Sequence, residues 1–72
     1  MPEKVKINRL KVILTEKDIS QKDFAKMVKK TPNTITRICN NDTQPSLRFL
    51  REMAIVLDVD ICDLLVPVKP RR

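Results

Sequence analysis

The stretch SQKDFAKMVKKTPNTITRIC, residues 20–39, holds two helix starts and one break, and the fold turns on how it is read. Ser20-Gln21-Lys22-Asp23 has the form of a capping box, in which the hydroxyl accepts from the third backbone N–H and the Asp23 carboxylate reaches back. Thr31-Pro32 is a second start: a threonine cap, then proline at the first helical position, where its missing N–H costs nothing. The proline also keeps Thr31 out of the helical region. Phe24, Ala25 and Val28 give the first segment a buried side, and Ile35 and Ile38 do the same for the second. The break between them lies from Lys29 to Thr31.

Two helices joined by so short a break cross at a steep angle, and they need a small residue where their backbones approach. Ala25 supplies it, and Ile35 and Ile38 plug the angle, which is helix-turn-helix spacing. Upstream, Ile7, Leu10, Ile13 and Leu14 recur at helical spacing and predict an amphipathic first helix ending near Lys17. Downstream, the polar run from Asn40 to Pro45 closes the third helix. Ser46 then caps a fourth with Leu47, Leu50, Met53, Ala54 and Leu57 inward. Asp60 is expected to cap a short fifth helix through Leu65, and Val66 to Arg72 reads as an extended basic tail. The chain thus divides into an arm (1–6), an all-α domain of five helices (7–65) and a tail (66–72), with no strand expected.

Composition narrows the function. A 72-residue chain is one domain with a small core, because a chain of this size buries only about 60% of its unfolded surface. The formal charge of +6 is unevenly placed: up to Ile38 ten basic residues face four acidic ones, and from Cys39 onward five face five. A polyanion is the expected partner of the first half. Only two aromatics, Phe24 and Phe49, are present, too few for a platform on which single-stranded bases stack. There is no apolar run long enough for a membrane span and no signal peptide, so a cytoplasmic protein is expected. Histidine is absent, the two cysteines Cys39 and Cys62 make no ordinary zinc site, the serines sit at caps and no glycine loop can cradle a phosphate. No enzyme activity, cofactor or metal is expected. Asp58 to Asp63 carries carboxylates without the glycine and terminal glutamate of a calcium loop, and Asp60 reads as a cap.

The pattern Leu10 to Leu14, Ile19-Ser20-Gln21, the Ile35/Ile38 pair, Gln44 to Leu50 and Met53 to Val59 resembles the Cro/C1-type (XRE) helix-turn-helix family over roughly residues 7–65. That resemblance implies a lambda-repressor-like, five-helix domain that binds double-stranded DNA, commonly as a homodimer, with residues 32–40 as the recognition helix. The family often places glycine where Asp18, Lys29 and Asn41 stand here. Of these, Asn and Asp tolerate positive φ better than Lys does. Where many members pair an arginine with a glutamate, this chain has Leu14 and Cys39, and an apolar contact between them is expected.

With Ile35 and Ile38 inward, Asn33, Thr36 and Arg37 point outward on the third helix. Asn suits adenine, Arg suits guanine and the Thr methyl suits thymine, so these three, with Pro32 at the tip, form the expected base-reading set. The expected phosphate contacts are Gln21, where the resemblance implies a backbone contact, with Lys22, Lys29, Lys30, Thr34, Asn40 and Asn41. The function expected is sequence-specific repression or activation on a near-palindromic operator. The competing reading is an antitoxin that binds a toxin protein through its last helices or tail and regulates its own promoter.

Overall fold

Local signals place the starts of three of the four α-helices. The computed structural model describes residues 6–68, so residues 1–5 of the expected arm and 69–72 of the expected tail lie outside the described residues. Four α-helices follow in order: α1 (Leu10–Glu16), α2 (Gln21–Met27), α3 (Pro32–Cys39) and α4 (Leu47–Leu57), then a 3₁₀ turn (Ile61–Leu64). Ser20, Thr31 and Ser46 each accept the backbone N–H three residues on, at 3.0, 3.2 and 3.1 Å. Each thereby satisfies a donor that the helix cannot.

The helix ends share one device. Asp18, Lys29, Asn41 and Asp58 all take positive φ, between 56 and 59°. The next residue's N–H then bonds the carbonyl five positions back: Ile19 to Leu14, Lys30 to Ala25, Asp42 to Arg37, Val59 to Ala54, at 2.8–3.0 Å. This is the Schellman closure, built four times without a glycine. It turns the chain sharply enough for α2 and α3 to pack directly on one another.

Three expectations need correction. The fifth helix is a single 3₁₀ turn. Asp60 and Asp63 close a capping box on each other, and Leu65 is already extended, in an antiparallel bridge with Asn8. That pairing also revises the first helix, which begins at Leu10: Ile7 O accepts from Val66 N (2.8 Å) and Arg9 N donates to Leu64 O (2.8 Å). Ile7 is therefore exposed. Leu47, expected inward, is 81% exposed; at the first helical position its Cβ tilts back past the edge of the core.

The core gathers Leu10, Ile13 and Leu14 of α1, Phe24 and Ala25 of α2, Ile35, Ile38 and Cys39 of α3, the inner side of α4, and Leu64. Leu14 and Cys39 both lie within it. The one buried polar residue among those described, Asn8, has a partner at each polar atom of its side chain. Its Nδ2 donates to Ile38 O (2.9 Å) and Gln44 Oε1 (2.8 Å), and its Oδ1 accepts from Leu10 N (3.2 Å). Such a group would cost about 1–3 kcal/mol if left unpaired, and here it ties α1 to the end of α3.

Candidate nucleic-acid interface

The outer side of α3 is built by its inner side. Ile35, with no exposed surface, and Ile38 anchor the helix in the core. Residues at the complementary positions must then emerge. Asn33, Thr36, Arg37 and Asn40, spaced i, i+3, i+4, i+7, form one exposed stripe, with exposed Pro32 at its N-terminal tip.

Two hydrogen-bonded pairs shape this surface. Thr36 Oγ1 donates to Gln21 Oε1 at 2.8 Å, joining the start of α2 to the middle of the stripe. Gln21 and Thr36 are fifteen residues apart, and only the packing of α2 on α3 brings them together. At the tip, the hydroxyls of Thr31 and Thr34 lie 2.9 Å apart. Thr34 is accordingly half-buried.

The expected phosphate contacts separate into two groups. Lys22, Lys29 and Asn40 are exposed, Asn40 as the end of the stripe itself, and half-buried Gln21 is bonded to the stripe through Thr36. Lys30, also exposed, and half-buried Asn41 make contacts to the protein itself. Lys30 Nζ lies 5.1 Å from the centre of the Phe49 ring, a cation–π distance that leans this lysine onto α4. The Asn41 Oδ1 accepts from Ile7 N (2.9 Å), Asn8 N (3.0 Å) and Gln44 Nε2 (3.1 Å), and its Nδ2 donates to Asn8 O (3.3 Å). Asn41 thus clasps the segment before α1.

Sequence reasoning missed what this clasp assembles. Lys6, Arg9 and Lys11 entered only as part of a basic excess, yet they converge beside Asn40 at the end of α3. The Asn8, Asn41 and Gln44 contacts that bring them there span more than 30 residues. No local pattern signals such contacts. Burial pushes the Cys39 thiol above its ordinary range, with the Lys11 charge opposing in part, so this thiol is a core group and not a nucleophile.

A helix pair packed across a short turn, whose second helix presents a polar stripe above buried isoleucines, defines a helix-turn-helix domain. The chain belongs to the Helix-turn-helix family, whose model matches residues 10–64, and the resemblance drawn from the sequence is borne out. It is also similar to the crystal structure of a "putative DNA-binding protein" from Bacteroides fragilis, with a TM-score of 0.81 and 42% identity over 83% of this chain and 97% of that one. A comparison with curated proteins returned no match.

Proposed function

We propose that this protein is a small transcriptional regulator that binds double-stranded DNA with α3 in the major groove. The observation that carries the reading is the stripe itself: three side chains able to read base edges, exposed on a helix whose Ile35 and Ile38 are buried in the core. Family membership and the similarity to a protein described as DNA-binding support it. Arg37 suits guanine O6 and N7, and Asn33 suits adenine N6 and N7. Thr36, its hydroxyl bonded to Gln21, keeps a methyl for thymine. Gln21, Lys22 and Lys29 position the duplex through its phosphates, which carry no sequence information.

Binding as a homodimer to a near-palindromic operator completes the proposal. It is supported by an apolar groove of about 270 Å³ between the end of α2 and α4, walled by Met27, Val28, Ile55 and Val56. Glu52 also lines the groove, and a two-fold pairing of two copies would cover its apolar walls. Nothing in this role calls for catalysis.

Selection of binding sites from random duplex DNA tests the reading. Arg37→Ala should relax the preference at one base position, at a cost of about 1–3 kcal/mol, and Asn33→Ala should do so at a neighbouring position. Unchanged affinity and an unchanged selected site in both variants would overturn it.

A further inference from the structure

A second cationic feature adjoins the stripe and has no part in base reading. Where residues 6–9, the start of α1 and the end of α3 meet, a cavity of about 350 Å³ opens. Lys6, Arg9 and Lys11 stand around it with Asn40, over an apolar floor that includes Val12 and Cys39; among the described residues, none that lines it is a carboxylate. Like charges gathered in a concave, partly apolar wall repel one another and focus a positive potential, which an anion would relieve.

The gathering is held in place by the fold. Asn41 Oδ1 grips the N–H groups of Ile7 and Asn8, and Val66 N donates to Ile7 O, so Lys6 is carried to the rim. Arg9 Nη1 donates to Asp63 O at 3.4 Å, which keeps its charge at the opposite wall. Asn40 belongs to both features: it ends the exposed stripe of α3 and lines the cavity. The cavity therefore begins where the stripe stops.

We infer that this cavity receives a backbone phosphate of the duplex lying along α3, with Lys6 and Lys11 as the neutralising charges and the Asn40 amide as a hydrogen-bond donor. The inference rests on the DNA-binding reading above and adds a phosphate contact on the α1 side of α3. Lysine serves as a point charge toward phosphate, and such contacts set register and affinity for every sequence alike.

The test is a salt titration of duplex affinity with the full chain on its selected site, from about 50 to 200 mM, comparing the parent with Lys6→Ala, Lys11→Ala and the double variant. Lys17→Ala, which removes an equal charge at the far end of α1, is the control. Each neutralised phosphate contributes about 0.9 to the slope of log K against log salt. The double variant should lose close to that amount and bind all sequences proportionately more weakly, while keeping the parent's base preference and melting temperature. The Lys17→Ala slope should stay at the parent value.

A double variant with the parent's slope overturns the cavity while leaving the DNA-binding reading intact, and so does an equal drop in Lys17→Ala. Amide shifts of Lys11 and Asn40 on adding inorganic phosphate, with no change in duplex slope, would assign the site to a free anion and also overturn the inference. A parent that binds no duplex ends both.

Discussion

Lys29 and Asn41 occupy the same left-handed backbone well, at φ 58 and 59°, but their side chains are in opposite situations. Lys29 is exposed at the α2–α3 turn and gains nothing locally from its Cβ. Asn41 uses the same conformation to aim its amide at Ile7, Asn8 and Gln44. Glycine should therefore act with opposite sign at the two positions. Lys29→Gly should stabilise by roughly 0.5–1 kcal/mol, being the left-handed penalty of about 1–2 kcal/mol less the added freedom of the unfolded chain. Asn41→Gly should destabilise by roughly 1–3 kcal/mol, because backbone donors lose their acceptor. Urea denaturation of both variants checks this, and a shared sign would refute it.

Cys39 supplies a pH test at the same scale. Its thiol titrates higher in the folded chain than when unfolded because burial disfavours the thiolate. Stability from this group is fully present below the unfolded thiol value, about 8.5, and is lost as pH rises through the folded value. Cys39→Ala should therefore flatten the fall in stability above that pH, whatever its cost at neutrality. Melting curves at pH 7 and above 9 decide it.

At the scale of elements, short helices of 7–11 residues have little intrinsic stability and depend on caps and packing. Thr31 carries the cap of α3, and Asn33 sits in the turn it stabilises. Thr31→Ala should cost about 1 kcal/mol and speed hydrogen exchange at the Thr34 amide, with Thr31→Ser restoring most of both. Unaltered exchange at Thr34 would separate the cap from the order of the stripe. The three Ser/Thr caps were legible in sequence because a cap is a contact over three residues. The glycine-replacing positions Asp18, Lys29 and Asn41 were legible only through the family resemblance, and Asp58, the fourth, was not anticipated. The starts of α1 and the shape of the last turn were misread, because both depend on residues 7–9 pairing with residues 64–66. A periodicity cannot register a partner more than fifty positions away.

For the molecule as a whole, one core joins all four α-helices and the last turn, so stability and interface are not separable at the centre. Phe24, fully buried, should cost about 3–5 kcal/mol on truncation to alanine. That is a large part of the roughly 4–11 kcal/mol expected of a domain this size. Denaturant titration should show the unfolding midpoint of the variant lowered by a large fraction of the parent's value. The groove beside α4 is different, since Ile55 is 62% exposed and can be changed without opening the core. If two copies meet there, Ile55→Lys should shift sedimentation toward the monomer with little change in intramolecular stability. A parent that sediments as a monomer at every concentration tested would remove the dimer from the proposal.

Sequence by itself determined the helix-turn-helix: its caps, its apolar spacing and the outward positions of Asn33, Thr36 and Arg37 all follow from contacts within a few residues and from helical periodicity. Tertiary structure alone decided which polar side chains remain available on that surface. Lys30 leans on Phe49, Asn41 clasps the chain before α1, Thr36 is bonded to Gln21, and Lys6, Arg9 and Lys11 are collected beside Asn40. The reason is physical: a polar side chain takes whichever partner the folded backbone brings within about 3 Å, and the spacing of residues along the chain does not contain that distance.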